Sequence, residues 1–294
     1  MRAPVVNTAP TIQDKQPAMS SLVKRTLAGA VLAAVMIGAT LTLPTLWFAL
    51  LTAAFVLVGT WEWSAMAGWT APGRRLAYAA CSGLVLLATA WLVQSEAGLW
   101  AVLLAGLAWW LVALAWVVRA QQGLPVDALD YPPVRLVAGW LLVAPAFGAL
   151  VGLHAVPESG PLLVVYLLVL VSTADSAAYF VGRRLGKRRL ASNVSPGKSL
   201  EGVAGAMVAV AVVAVAAVVL GGFDRPLAFL VSSLVTALAS ILGDLAESTF
   251  KRRAGVKDSG SIIPGHGGIL DRIDGYTAAA PIFALGCLWQ GITL

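Results

Sequence analysis

The chain has 294 residues, of which 59% are hydrophobic and only 12% are charged, and its formal net charge is +6. This composition lies outside the range of soluble globular domains, whose charged fraction is about 25%. In a membrane protein, an excess of basic residues more often reflects the orientation of the spans in the membrane than a nucleic-acid partner. We therefore expect no binding to nucleic acid. Continuous apolar runs rich in Ala, Leu and Val predict an all-α polytopic membrane protein rather than a β-barrel.

The apolar runs divide the chain into three regions. Residues 1–25 are predicted to form a flexible cytoplasmic tail, residues 26–160 an N-terminal transmembrane region of about five helices, and residues 161–294 a C-terminal transmembrane region. The predicted spans cover residues 26–43, 45–66, 76–94, 98–118, 136–154, 161–181, 203–223, 227–245 and 277–294. These make about nine transmembrane helices, so the two termini are expected on opposite sides of the membrane.

The distribution of basic residues predicts the orientation of these spans. If the N-terminus is cytoplasmic, nineteen of the twenty Lys and Arg residues fall in cytoplasmic segments, and only Arg225 lies on the opposite side. This asymmetry is what the positive-inside rule predicts. We therefore expect a multi-pass protein of the cell (inner) membrane, with the charged loops 182–202 and 246–276 facing the cytoplasm.

Glu62 is the acidic residue that falls within a predicted span of the N-terminal half. It lies in GTWEWSAM near the inner end of the second span, between Trp61 and Trp63. Tryptophan favours the headgroup level of a bilayer, so the pattern favours a structural carboxylate at the membrane interface. Contact between Glu62 and a substrate is the alternative.

Two aspartates lie inside or at the edge of spans in the C-terminal half. A charge at the membrane centre costs on the order of 2.5 to 3.5 kcal/mol, so it persists mainly where it is used. Asp175 lies in VSTADSAAYFVGRRLGK, near the inner end of the sixth span. Asp244 lies in ILGDLAESTFKRR and is expected to end the eighth span, with Ser248 and Lys251 on its helical face. For each aspartate, the alternative is a structural carboxylate neutralised by a nearby Arg or Lys.

The two charged loops and the helix ends beside them concentrate both signs of charge. They hold eleven Lys or Arg residues and five aspartates, namely Asp175, Asp244, Asp258, Asp271 and Asp274. This mixture suits a metal-bound polyphosphate better than a bare cation or a bare anion. Carboxylates, with no cysteine and a single histidine nearby, favour Mg²⁺ or a similar hard ion over zinc. Lys and Arg would then hold the remaining phosphate oxygens.

Two glycine-containing segments could contact phosphate. PGHGG, residues 264–268, can bring backbone N–H groups against an anion, although a plain turn is the alternative. SPGKS, residues 195–199, resembles the end of a P-loop, but the first glycine of that pattern would fall at Ser192, and we expect no strand before it. Lys198 and nearby backbone amides stay candidate phosphate contacts without that fold.

A longer run resembles the signature of the CDP-diacylglycerol synthases, also called phosphatidate cytidylyltransferases. The run is S-x-x-K-R-x4-K-D-x5-P-G-H-G-G-x2-D-R-x-D, beginning at Ser248 and ending at Asp274. DSAAYFVGRRLGK and SPGKSLEG resemble a second conserved region of that family, so the resemblance covers at least residues 172–276 and agrees with the nine-span fold. One departure is Gly197, where many family members carry a second lysine before Lys198.

The resemblance implies a reaction and assigns roles in it. CTP would react with phosphatidate, a membrane lipid, to give CDP-diacylglycerol and pyrophosphate, with catalysis in the C-terminal region. Asp244 and Asp258 would bind Mg²⁺, and Lys257 and Asp175 would also contribute to catalysis. The residues expected to bind the substrates are Ser195, Lys198, Ser248, Lys251, Arg252, His266, Gly267, Gly268 and Arg272. Asp271 and Asp274 are expected to pair with Arg272 or Lys257 and order the loop, with direct ligation of the metal as the alternative. A monovalent cation such as K⁺ beside the Mg²⁺, and a homodimer, are both compatible with the resemblance.

Two other functions are alternatives. A CTP-dependent kinase of dolichol or another polyprenol would share the many-helix layout and the nucleotide. An ion or anion transporter would bind its cargo with intramembrane aspartates, near the bilayer midplane and between related halves. Here the charges gather near the inner surface and no internal repeat is visible, so the sequence favours the cytidylyltransferase.

Overall fold

A computed structural model describes residues 33–260, 262, 267–292 and 294. Within these ranges the chain forms α1 (Ala33–Thr42), α2 (Thr45–Met66), α3 (Pro72–Leu92), α4 (Glu96–Gln121), α5 (Pro132–Ala155), α6 (Gly160–Leu185), α7 (Leu200–Gly221), α8 (Pro226–Arg253) and α9 (Leu270–Trp289). A 3₁₀-helix, Asp127–Asp130, precedes α5. Strands β1 (Arg189–Ala191) and β2 (Ser195–Ser199) form an antiparallel hairpin between α6 and α7. The predicted helical architecture is thus confirmed, while the predicted tail lies outside the described residues.

Seven of the described helices, α2 to α8, are long and apolar enough to cross a membrane. Their outward faces carry large exposed apolar side chains, such as Trp91, Val208 and Leu220. Such faces are unfavourable in water and suit contact with lipid. The chain is therefore a multi-pass membrane protein. The predicted number of nine spans, with the termini on opposite sides of the membrane, exceeds these seven helices by two.

The helix boundaries follow from local sequence. Proline stands in the first turn of α3, α5, α6 and α8, where its missing N–H has no intrahelical partner to lose. The side chains of Ser95 and Ser199 cap α4 and α7 by accepting hydrogen bonds from Gly98 N and Gly202 N. Gly222, with φ of 64°, ends α7 in the left-handed conformation that glycine adopts most easily.

The helix ends at the charged segments differ from the sequence prediction. α8 continues to Arg253 instead of ending at residue 245, so Asp244 lies inside the helix and does not end it. α9 begins at Leu270 rather than at residue 277. Hydropathy does not detect these additional helical turns, because their charged residues stay helical where the chain has left the hydrocarbon. In the last turn of α8, basic residues also interact favourably with the helix dipole. The predicted loop 246–276 is therefore only the segment 254–269.

The hairpin corrects a second expectation. β1 lies directly before Ser192, where no strand was predicted. However, SPGKS is itself strand β2, with Ser195 opposite Ala191 and Ser199 opposite Arg189. An extended, paired strand cannot wrap its amides around a phosphate as a P-loop does. The segment is therefore not a P-loop, as predicted. However, the expectation that no strand precedes Ser192 is wrong.

Close helix contacts bring the C-terminal helices together. α8 packs along α9, and α6 packs along α7. Gly243 on α8 lies against the backbone of Asp274 and Gly275 on α9, and a Cβ atom at Gly243 would collide with the Asp274 carbonyl oxygen. Small residues let membrane helices approach in this way. The contact holds the acidic parts of α8 and α9 side by side.

Candidate active site

The charged residues meet at one end of the helix bundle. There Gln121, at the end of α4, hydrogen-bonds the hairpin residue Asn193 through both backbone and side chain. Arg253, at the end of α8, pairs with Asp130 before α5. The side chain of Glu201, in the first turn of α7, accepts hydrogen bonds from the amides of Lys187 and Arg188 after α6. These contacts join the segments that follow α4, α6 and α8.

Lys198 and Asp244 form an ion pair between the hairpin and α8. The Lys198 Nζ atom lies 2.6 Å from Asp244 Oδ2, and the two side chains are 24% and 35% exposed. Ser248, one turn along α8, donates a hydrogen bond of 3.3 Å to Asp244 Oδ1. Asp175 on α6 interacts electrostatically with both Lys198 and Asp244. The structure thus brings together four residues that the sequence nominated, on elements distant in the chain.

Lys251 and Asp271 form a second ion pair, between α8 and α9. Lys251 Nζ lies 2.7 Å from Asp271 Oδ1 and 3.4 Å from Glu247 Oε2, and the lysine side chain is only 13% exposed. The Asp271 carboxylate also accepts hydrogen bonds from Ser259 N at 3.0 Å and from Gly268 N at 2.8 Å. These hydrogen bonds connect Ser259 and Gly268 of the loop to the first turn of α9. The ion pair also engages Lys251, which was predicted to hold phosphate, within the protein.

Glu247 is a functional candidate that the sequence reasoning missed. It is 1% exposed, and Lys251 Nζ lies 3.4 Å from its Oε2. Asp274, one of the predicted loop-ordering residues, lies beside it and accepts a hydrogen bond of 2.7 Å from Gly275 N. The signal was present, because Glu247 follows Asp244 by three residues and precedes Lys251 by four, which places all three on one helical face.

The segment between α8 and α9 carries further predicted residues. Lys257 and Asp258 are exposed there. A Cβ atom built on Gly267 would lie 3.6 Å from the Asp258 Cβ, and Gly267 has a φ of 83°, which L-residues with side chains rarely adopt. Glycine at this position is therefore a requirement of the backbone. His266 lies outside the described residues, as do the proline and first glycine of PGHGG.

Three other predicted residues have separate surroundings. Arg252 donates through Nε to the carbonyl oxygen of Val194 at 3.5 Å, which directs it to the tip of the hairpin rather than to Asp244. Ser195 begins β2 beside that tip. Arg272 is exposed on α9 and lines the large cavity described next. A Cβ atom at Gly197 would meet open space, so the lysine common in the family would fit there.

A cavity of about 800 Å³ opens beside these charges. Its walls are mostly apolar side chains of α1, α2, α5, α6 and α9, including Phe55, Phe147 and Leu168. Asp175 and Arg272 also line it. Cavities of about 300 to 1,000 Å³ with apolar walls and few polar groups are typical ligand sites. The cavity is therefore an apolar compartment that reaches two charged residues of the predicted site, Asp175 and Arg272.

Asp244 and Asp258, the two predicted metal ligands, offer carboxylate oxygens, which are the donor atoms that Mg²⁺ prefers. Among the described residues, no group of three or more His, Cys, Asp or Glu side chains is arranged to hold a metal ion. Mg²⁺ is usually bound through one or two carboxylates plus substrate phosphates and water, so two aspartates meet its requirement. Asp244 is partly exposed and Asp258 is exposed, so both carboxylates are accessible from outside the protein.

The fold and the site together define a polytopic membrane enzyme with a charged site beside an apolar cavity. The chain belongs to the cytidylyltransferase family, whose model matches residues 23–289. It is 40% identical over 271 residues to the phosphatidate cytidylyltransferase of Pseudomonas aeruginosa, covering 91% of this chain and 97% of the relative. The Haemophilus influenzae protein of the same name is 35% identical over 283 residues, which cover 90% of this chain and 97% of the relative. The phosphatidate cytidylyltransferase of Bacillus subtilis is 36% identical over 174 residues, 58% of this chain and 62% of the relative.

Proposed function

We propose that the protein is a phosphatidate cytidylyltransferase, which converts CTP and phosphatidate into CDP-diacylglycerol and pyrophosphate. The observation that carries this proposal is the charged cluster around Asp244, one member of which, Asp175, also lines an apolar cavity of about 800 Å³. A lipid whose headgroup is a phosphate needs both parts, and the names of the P. aeruginosa and H. influenzae relatives agree with this substrate.

In this proposal the lipid binds with its tails in the apolar part of the cavity. The phosphate headgroup then lies at the polar end, near Arg272, which lines the cavity. Guanidinium is well suited to this contact because its donors match the geometry of phosphate oxygens. The tails stay within the membrane-spanning helices, so the lipid never has to enter water.

The chemical step is an exchange of one phosphorus–oxygen bond for another. A phosphate oxygen of phosphatidate attacks the α-phosphorus of CTP, and the bond from that phosphorus to the bridging oxygen breaks, so pyrophosphate leaves with its electron pair. The attacking oxygen is already anionic near neutral pH, so no strong general base is needed. Lys198, Lys257 and Arg272 position the phosphates and offset their charge, which is the main contribution expected of the protein.

Asp244 and Asp258 are the proposed ligands of Mg²⁺, with Asp175 contributing directly or through water. When bound, the ion would neutralise phosphate oxygens and the charge that develops on the leaving group. A monovalent cation such as K⁺ beside it belongs to the same proposal. Lys198 pairs with Asp244 at 2.6 Å, so the lysine would exchange part of this contact for nucleotide phosphate on binding.

We further propose nine spans in the inner membrane, with the N-terminus and the active site on the cytoplasmic side. The asymmetry of basic residues supports this orientation. CTP would arrive from the cytoplasm and meet the lipid at the inner headgroup plane, where basic residues attract anionic phosphatidate. The family resemblance also favours a homodimer, which a mass measurement in detergent would test.

The decisive assay uses the purified full chain with Mg²⁺, phosphatidate and CTP labelled at either the α- or the γ-phosphate. We expect label from α-labelled CTP in the lipid product and label from γ-labelled CTP in pyrophosphate. A parallel reaction that contains a polyprenol in place of phosphatidate tests the kinase alternative, because a CTP-dependent lipid kinase would transfer the γ-label to that lipid. Absence of lipid labelling by the folded wild-type chain would refute the proposed function.

A further inference from the structure

Glu62 connects the N-terminal helices to the loop that carries Asp258. Its side chain is on α2 and is only 2% exposed, so the carboxylate is enclosed by protein. One carboxylate oxygen accepts a hydrogen bond of 3.1 Å from Ile269 N, and the other accepts one of 2.9 Å from Leu270 N. These amides belong to the start of α9, where N–H groups lack intrahelical partners and favour a negative charge.

The loop is shaped around this carboxylate. Cβ atoms at Gly260 and Gly268 would each collide with the Glu62 carboxyl group, so both glycines allow the chain to close over it. Ser259, which is 7% exposed, donates its hydroxyl to Glu62 Oε2 at 3.3 Å. Glu62 therefore contacts residues 259–260 as well as residues 268–270, and Ser259 directly follows Asp258.

A second carboxylate fastens the same segment from within. Asp271 accepts the backbone amides of Ser259 and Gly268, and its own amide donates to Ser259 Oγ at 3.3 Å. Ser259 thus lies between Glu62 and Asp271 and bonds to both. Because Asp271 also pairs with Lys251, the network extends from α2 through the loop to α8. Displacing Glu62 would loosen each of these contacts.

The end of α2 is itself a fixed platform. Trp63, 2% exposed, donates its indole N–H to the carbonyl oxygen of Arg135 at 2.7 Å. Arg135 in turn donates to the carbonyl oxygen of Met66 at 3.2 Å. Arg75 on α3 donates to the carbonyl oxygen of Trp61 and stacks on its ring, 4.1 Å from the centroid. The carboxylate is therefore presented by three helices packed together.

We propose that Glu62 is a positioning residue of the active site, which holds Ser259, Gly260 and residues 268–270 in place so that the neighbouring Asp258 can bind the metal ion that accompanies CTP. The proposal rests on the proposed cytidylyltransferase function and extends it to the N-terminal half of the chain. A generic structural carboxylate would stabilise the fold alone. A positioning carboxylate also sets the geometry of the loop, so its loss alters the response to Mg²⁺ more than the stability of the helices.

The test compares Glu62→Gln with the wild type as full chains in detergent. Glutamine has nearly the same shape, but its –NH₂ group would face one of the two amides that now donate to Glu62. We expect faster hydrogen exchange at Ile269 and Leu270, a higher Mg²⁺ concentration for half-maximal activity, and kcat/KM for CTP lowered about tenfold or more, since hydrogen bonds to charged groups commonly contribute that factor. Glu96→Gln, at an exposed carboxylate in the first turn of α4, is the matched control and should change none of these values.

Two results would overturn the proposal. The first is unchanged exchange at Ile269 and Leu270, which would mean that the contact does not order them. The second is faster exchange with wild-type kinetics and Mg²⁺ response. If Glu62→Gln does not fold, Ser259→Ala removes one of the three bonds to Glu62, and wild-type kinetics in that variant would also refute the idea. Failure of the proposed function itself is seen separately, as a folded wild-type chain that labels no lipid.

Discussion

The contact at Gly243 gives the most direct test of how α8 and α9 build the site. In Gly243→Ala, the new methyl group would collide with the carbonyl oxygen of Asp274, which is backbone and cannot rotate away. Replacing a helical glycine by alanine normally stabilises by roughly 0.5 to 1 kcal/mol, whereas overpacking a tight contact costs about 1 to 3 kcal/mol. We therefore expect a net loss of up to about 2.5 kcal/mol in the free energy of unfolding, and a free energy about 1 to 3 kcal/mol below that of a variant in which the same exchange meets open space.

The effect on activity should exceed the effect on stability. Moving α8 away from α9 shifts Asp244 relative to the acidic residues of α9, and a displacement of about 1 Å in an active site can cost on the order of a hundredfold in rate. Thermal unfolding in detergent and labelled-CTP turnover measure the two effects. Gly73→Ala is the control, because a Cβ atom at this helical glycine meets nothing within 4 Å. A Gly243→Ala protein as stable and as active as Gly73→Ala would refute the reasoning.

Three further predictions concern the metal ligands, the loop and the lipid cavity. Asp258→Asn should abolish lipid labelling while leaving thermal unfolding unchanged, and exposed Asp127→Asn should keep full activity; an active Asp258→Asn enzyme would exclude Asp258 as a metal ligand. Asp271→Asn should lower the free energy of unfolding by about 1 to 3 kcal/mol, because Lys251 loses its 2.7 Å ion pair and an –NH₂ group replaces one of the two oxygens that accept from the loop amides; unchanged unfolding would contradict the loop-ordering role. Val169→Trp, whose side chain would fill part of the cavity, should raise KM for phosphatidate but not for CTP, whereas outward-facing Val208→Trp should change neither; equal kinetics of the two variants would argue against tails in the cavity.

Much of the fold could be predicted because hydrocarbon imposes a simple rule on composition. The predicted span 45–66 has the bounds of α2, and the other predicted spans each fall on a helix where the structure describes them. The errors lie at the ends of α8 and α9, where Lys251 and Asp271 are charged and yet helical. Hydropathy detects the hydrocarbon boundary, whereas backbone hydrogen bonds decide where a helix ends, and at a charged surface the two boundaries separate.

The sequence predicted which residues belong to the candidate site better than it predicted which of them contact each other. Spacing along α8 put Ser248 beside Asp244, and the structure agrees. Spacing could not show that Lys198 reaches Asp244, since that contact depends on a hairpin formed by residues without a strong strand pattern. Nor could it show that Arg252 turns to the carbonyl oxygen of Val194, because the direction of a side chain follows from its neighbours in space.

The sequence by itself determined the membrane class, the order of the helices, the family and the list of charged residues available for chemistry. These properties depend on composition, on residue spacing and on a continuous motif, all of which are local along the chain. Only the tertiary structure decided which charges meet. Glu62 and Leu270 are far apart in sequence, yet their bond closes the loop beside Asp258. The first amides of a helix have no acceptor within the helix, so they bond to acceptors on the elements packed against them. Which elements those are depends on the packing of the whole bundle.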